Sequence, residues 1–142
     1  MKQSFDEEFI FSSLRKADQI IQLYINLKEP QLITMALTQL LEAYKKLFEK
    51  ELGTANVTLA NTHIFVEKIS SLVKARHAQS FIDVVGAWEK YVNSTTQFFR
   101  KGALVVCDDD FNMHALTIED LQLWSFHTKQ VAITLFEANN ND

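Results

Sequence analysis

Residues 30–53 read PQLITMALTQLLEAYKKLFEKELG, and this stretch decides the class of fold. Its apolar side chains recur every three or four residues, the spacing that places them on one face of an α-helix. Pro30 suits the first turn of a helix, and Gly53 suits the left-handed position after a last turn. The sequence therefore predicts a helix from Pro30 to Leu52 whose buried face consists of Ile33, Ala36, Leu37, Leu40, Tyr44, Leu47 and Phe48.

A second long helix is predicted on the N-terminal side of this stretch. Ser4 and Glu7 have the spacing of a capping box, and the apolar period continues from there to about Lys28. Proline disfavours a helical conformation in the residue before it, so the chain turns sharply at Glu29-Pro30. Because this joint is short, the two helices are expected to form an antiparallel hairpin.

Two further helices are predicted on the C-terminal side. A loop of small and polar residues over Gly53 to Asn61 leads into an amphipathic helix from about Thr62 to Arg76. Ser80 followed by Asp83 forms another capping box, so a fourth helix is expected to open there. Its apolar period continues past the polar run before Gly102, which is expected to end it.

The segment 103–116 has the least helical character of the chain. An apolar run over 104–107 is followed by three aspartates and then by Phe111. Thr117 with Asp120 forms a third capping box, so the last helix is expected to begin at Thr117.

The predicted fold is all-α, a bundle of four to five antiparallel helices with an irregular segment before the last helix. With 142 residues, 3 Gly and 1 Pro, the chain has little material for the tight turns of a strand-rich fold. Residues 1–138 are expected to form a single domain, and residues 139–142 a disordered tail.

Charge and composition exclude several classes of function. The formal net charge is −4, and the 14 basic residues are dispersed, so nucleic acid is not an expected partner. Cys107 is the one cysteine, which rules out an internal disulfide and fits a reducing compartment. The chain has neither a run of about 18 apolar residues nor a secretory signal pattern, so a cytoplasmic protein without membrane contact is expected.

One acidic segment resembles a calcium-binding loop. Asp108, Asp110, Asn112 and Glu119 occupy positions 1, 3, 5 and 12 of that template, but Met113 stands where its glycine is needed. These four residues are the candidate metal ligands, and calcium is the one cofactor that the sequence raises. The alternative is an acidic loop whose carboxylates remain solvated.

No motif of a known catalytic mechanism is present, which favours a non-enzymatic protein. No two histidines are spaced for ligation on one helix face, and no glutamate precedes a histidine by three residues. The alternative hypothesis is an enzyme or a small-ligand or metal-binding bundle with a polar site near residues 108–119. Its candidate residues are His63, His114, Asp108, Asp110 and Glu119.

The 16 aromatic residues, 11 of them Phe, suggest a contact surface. Several lie away from the predicted apolar stripes, and if exposed together they would form a patch that monomers seldom tolerate. The predicted function is therefore a protein-interaction module, such as an adaptor, chaperone, inhibitor or self-assembling subunit. Its partner would be another protein or a second copy, bound through the first helix or segment 103–116. The candidate contact residues are Phe9, Phe11, Phe99, Phe111 and Phe126.

Overall fold

The computed structural model describes residues 5–140, which form five helices and one three-stranded sheet. In chain order the elements are α1 (Phe5–Leu27), α2 (Gln31–Leu52), α3 (Leu59–Ile69), α4 (Ala75–Val92), β1 (Thr96–Arg100), β2 (Ala103–Cys107), β3 (Met113–Thr117) and α5 (Ile118–Asn140). The predicted helical bundle is confirmed. The fold is not purely all-α, because the segment predicted to be irregular belongs to a sheet.

Helices α1 and α2 form the hairpin that the sequence predicts. The chain reverses through Lys28, whose φ is +56°, and the amide of Leu32 donates to the carbonyl of Glu29 at 3.0 Å. Gly53 adopts the left-handed conformation at φ +76°, and its amide donates to the carbonyl of Glu49 at 3.0 Å. The predicted cap at Gly53 is thus confirmed, whereas the one at Ser4 lies outside the described residues.

Helix α3 begins earlier and ends earlier than predicted. The hydroxyl oxygen of Thr58 accepts the amide of Asn61 at 3.1 Å, so the helix starts at Leu59 and not at Thr62. It ends at Ile69, and Ala75 already opens α4.

The prediction that Ser80 opens the fourth helix is wrong. Ser80 is buried within α4, and its hydroxyl donates to the carbonyl of His77 at 2.8 Å. A serine can satisfy its hydroxyl in this way inside a helix, so the capping pattern was not specific.

The predicted end of the fourth helix at Gly102 is also wrong, because α4 ends at Val92 and the chain continues as strands. The strands lie in the order β1-β2-β3 with both pairs antiparallel. Lys101 and Gly102 have φ of +51° and +79° and form a two-residue turn that places Arg100 opposite Ala103. Positive φ at both turn residues matches the twist of the flanking strands.

The sheet is anchored to the bundle on one face. Leu104, Val106 and Leu116 are buried, in strands that contact α4 and α5. The hydroxyl of Tyr24 in α1 donates to the carbonyl of Gly102 at 3.1 Å, which fixes the β1–β2 turn.

Helix α5 follows β3 without a linker. The hydroxyl oxygen of Thr117 accepts the amide of Asp120 at 3.1 Å, which confirms the predicted cap. The helix runs to Asn140, so residues 139–140 of the predicted tail are helical, and residues 141–142 lie outside the described part.

Four aromatic rings form the centre of the core. The ring of Phe81 lies 4.2 Å from that of Tyr44 and 5.0 Å from that of Phe65, and Phe65 lies 4.7 Å from Phe48. All four side chains are fully buried. This chain of rings joins α2, α3 and α4, and aromatic pairs of this geometry add to the stabilisation from burial alone.

A helix that crosses a membrane needs about 20 consecutive apolar residues. Among residues 5–140, no helix is long and apolar enough to do so.

Candidate functional site

The face of the sheet directed away from the bundle is the candidate site. Side chains alternate between the two faces of a strand, so the register assigns each residue to one face. Buried Leu104, Val106 and Leu116 mark the inner face. The opposite face, called here the outer sheet face, consists of Thr96, Phe98, Arg100, Ala103, Val105, Cys107, Met113, Ala115 and Thr117.

Six of the nine residues of the outer sheet face are apolar, although the face lies open to solvent. Met113 is 67% exposed and Phe98 is 39% exposed, and Arg100 is the one charged member of the face. When one face of an antiparallel sheet is solvated, that face normally carries polar residues. Strands that are apolar on both faces are normally covered by other parts of a protein on both faces. Strand β2, with the sequence ALVVC, belongs to the second kind.

Strand β1 also leaves one edge of the sheet open. It pairs with β2 alone among the described elements, and all five of its residues are exposed. The strand contains no proline, and Arg100 at its end is the one charged side chain that could protect this edge from pairing with other chains. The open edge thus adjoins an apolar face.

A constrained turn presents Phe111 at one end of this face. Phe111 is 85% exposed and has a φ of +64°, a conformation that costs energy for a bulky residue. The turn is held by Asp108, whose Oδ1 accepts the amides of Asp110 and Asn112 at 2.9 and 3.0 Å. The hydrogen bonds from Asn112 and Asp110 hold the pKa of Asp108 below its ordinary value.

Opposite charges lie at the two ends of the outer sheet face. The β2–β3 turn, called here the acidic turn, carries the exposed Asp109 and Asp110 beside Cys107 and Met113. The β1–β2 turn, called here the basic turn, carries Lys101 next to Arg100 at the other end. None of these four charged residues belongs to an ion pair with another described residue. Burial, and then the charge of Glu119, raises the pKa of Tyr24, whose hydroxyl donates to Gly102, so one exposed carboxylate also lies near the basic turn.

The calcium-loop hypothesis receives no geometric support. Asp108, Asp110 and Asn112 share the acidic turn, but the oxygens of Asp108 already accept hydrogen bonds from the other two residues. Glu119 lies in the first turn of α5, beyond β3. Within the described residues, no group of three or more His, Cys, Asp or Glu side chains could hold a metal ion.

A cleft of about 350 Å³ lies between α4 and the end of the sheet that carries the acidic turn. Its lining includes Glu89, Lys90, Asn93 and His114 as well as Asp108. Burial, and then the charge of Lys90, lowers the pKa of His114, which favours the neutral imidazole. Within residues 5–140, neither His114 nor Lys90 makes a side-chain hydrogen bond or an ion pair, so both are available to a ligand.

The five aromatic residues predicted as contacts do not form one patch. Phe11 lies 5.8 Å from the ring of Phe136, and Phe9 lies 5.5 Å from Lys46 Nζ, so both belong to the bundle. Phe99 contacts Tyr24 on the inner side of the sheet. Phe126 is half exposed on α5, and Phe111 is exposed in the turn at one end of the sheet. Phe98, a member of the outer sheet face, was missed because its spacing fitted the predicted fourth helix.

A histidine pair that sequence reasoning missed joins α4 to α5. The Nδ1 atoms of His77 and His127 lie 2.7 Å apart, so one ring donates a hydrogen bond to the other. Fifty positions separate the two residues, and no local pattern could connect them. Burial, then His127, Arg76 and Lys74, lowers the pKa of His77. His63, in contrast, is exposed on α3.

The lowered pKa values of His77 and His114 predict a pH-dependent stability. Because both lie below the ordinary value of 6.5, the unfolded chain binds protons first as the pH falls. The stabilisation that the two histidines contribute to the free energy of unfolding is therefore complete above pH 6.5. It decreases as the pH falls below 6.5, until the pH is below the folded-state pKa values. Urea unfolding at about pH 7.5 and about pH 5.5 measures this loss. It should shrink in the double variant H77Q/H114Q and persist in the exposed control H63Q; equal losses in all three proteins would contradict the assignment.

No family model, curated protein or solved structure matches this chain. The function is therefore inferred from the geometry of residues 5–140.

Proposed function

We propose that this chain is a protein-interaction module whose contact surface is the outer sheet face together with Phe111. The observation that carries the proposal is an open sheet face with one charge among nine residues. Covering this face removes Phe98, Val105 and Met113 from water, and such burial is the main favourable contribution to most protein association. Phe111 supplies an aromatic anchor, the kind of residue that contributes most at interfaces.

This surface is favoured over the first helix. The core-facing stripe of α1 is occupied within the bundle, because Ile10, Leu14, Ala17 and Ile21 are buried in a helix that contacts α2 and α5. Near its C-terminal end, α1 also carries the exposed apolar side chains Leu23, Ile25 and Leu27. Of the two surfaces that the sequence suggests, segment 103–116 therefore supplies the contact, as the strands of a sheet and not as a helix face.

A glutamate at Met113 tests the proposal. The change places a charge on the outer sheet face at a position that is 67% exposed, so the fold should tolerate it. The matched control is I64E, since Ile64 is 55% exposed on α3, away from the sheet. We expect M113E to weaken partner binding by about tenfold or more and I64E to leave it unchanged.

The measurement is quantitative capture by the tagged full-length chain, with self-association followed separately by light scattering. A partner retained by the wild type and by I64E but lost by M113E supports the proposed surface. Equal recovery by all three proteins would show that binding occurs elsewhere.

The cleft beside α4 favours a second candidate function, the binding of a small ligand. The free Lys90 ammonium and the neutral His114 imidazole would supply polar contacts, while Leu59 and Val106 supply apolar walls. Fragment screening by nuclear magnetic resonance separates the two functions. Met113 lines the cleft and also belongs to the outer sheet face, so its shifts do not separate the two functions. Shifts at Glu89, Lys90 and His114 support ligand binding, and shifts at Phe98, Val105 and Ala115 support the interaction module.

A further inference from the structure

We infer that the outer sheet face binds a second copy of this chain. The two faces pack on each other and are related by a two-fold axis that lies between the two sheets and runs across their strands, perpendicular to the strand direction. The inference rests on the proposed function and names its partner. The product would have four layers, two sheets inside and a helical bundle outside each. Sheets packed in this manner lie about 10 Å apart.

The charges at the two ends of the sheet select the partner and its orientation. A two-fold axis perpendicular to the strands reverses strand direction, so the acidic turn of one copy lies over the basic turn of the other. Asp109 and Asp110 then approach Arg100 and Lys101 twice in the dimer, once at each end. An axis parallel to the strands would place like charges over each other, which costs free energy.

The middle of the outer sheet face is self-complementary, as a symmetric contact requires. Phe98, Val105 and Ala115 occupy one row across the three strands, and that row lies along the proposed axis. Each member therefore meets the same row of the other copy, and no charge is buried there. Arg100 lies at the corner of the face, where it can remain partly solvated.

The size of the face sets the expected affinity. Three strands of five residues span about 17 Å by about 10 Å, and adding the turns gives an interface below the usual 1,200 Å² or so. The dimer should therefore be weak, with a Kd of about 100 µM.

Charge exchange between the two turns tests the orientation. The variant R100E/K101E makes both ends acidic, and D109K/D110K makes both ends basic, so each alone should dimerise about tenfold more weakly than the wild type. Mixed together, the variants regain opposite charges at both ends and should form a heterodimer of near wild-type affinity. Because the rescue requires folded chains, it also shows that the substitutions did not unfold them.

Sedimentation velocity on the full chain, from about 10 µM to about 1 mM, provides the readout. The matched control is E42K/K45E, which reverses an exposed ion pair on α2 and should dimerise like the wild type. Rescue in the mixture with an unaffected control supports the inference.

Three outcomes would overturn it: a wild-type monomer throughout the range, a mixture that stays monomeric, or equal weakening by the α2 control. The proposed function is tested separately, because a wild-type chain that stays monomeric but binds a different protein, with binding lost in M113E, would overturn this inference and still support the proposed surface.

Discussion

Replacement of Phe81 by alanine is expected to lower the free energy of unfolding by about 3–5 kcal/mol. The side chain is fully buried, and its ring packs between those of Tyr44 and Phe65 at 4.2 and 5.0 Å. Removing it leaves a cavity where α2, α3 and α4 meet. The helices cannot collapse fully around this cavity, since the neighbouring rings are fixed by their own packing.

Equilibrium unfolding in urea, followed by far-ultraviolet circular dichroism, measures this effect. Phe111→Ala is the matched control, because it removes the same ring from a position that is 85% exposed. That change should alter the free energy of unfolding by about 0.5 kcal/mol or less. A cost at Phe81 no larger than at Phe111 would contradict the location of the core.

The second large effect is expected for Tyr44→Phe, at about 1–3 kcal/mol. The hydroxyl of Tyr44 in α2 lies 2.9 Å from that of Thr128 in α5, and both side chains are fully buried. Burial raises the pKa of Tyr44, with Thr128 and Ser80 as hydrogen-bonding partners. Phenylalanine removes the hydroxyl and leaves that of Thr128 without its partner from α2, at a site that water does not reach.

A double-mutant cycle isolates this contact. If the bond contributes as described, the effects of Tyr44→Phe and Thr128→Val should be non-additive, because the second change removes a bond that the first has already broken. Tyr91→Phe serves as the control, since the hydroxyl of Tyr91 makes no hydrogen bond with another described residue. Strict additivity would refute the proposed coupling between α2 and α5.

The long helices could be predicted because their signals are local. Pro30 and Gly53 mark the two ends of α2, and the apolar period between them coincides with its buried face. Thr117 could be recognised as a cap in the same way, since a cap satisfies amides only three residues away. These local signals identified α2 and the start of α5, whereas the equally local pattern at Ser80 was not specific.

Strand β1 could not be recognised, because its hydrophobic spacing is ambiguous. Phe98 continues the helical period of α4, and five residues are too few to establish the alternation of a strand. Residues 96–100 form a strand because they pair with β2, and this pairing depends on the turn at Lys101 and Gly102. That dipeptide is a weaker hairpin signal than Asn-Gly or Asp-Gly.

The candidate site was therefore only half visible in the sequence. The apolar run over residues 104–107 showed that something must cover this segment, but a run alone does not say which side chains share a face. The register supplies that information by placing Phe98, Val105 and Ala115 in one row. The spacing of Asp108, Asp110, Asn112 and Glu119 suggested a calcium loop, and it could not show that Asp108 also accepts the hydrogen bonds that hold the turn containing Phe111.

The direct connection of β3 to α5 would determine the orientation of a bound partner relative to the helical bundle. Thr117 is the last residue of the strand and also caps the helix, so no hinge separates the sheet from the bundle. A partner seated on the sheet would take its orientation from α5 and tumble with the whole protein as one rigid particle. The protein would hold a bound partner in one fixed orientation, and the fold would determine the angle between the two proteins.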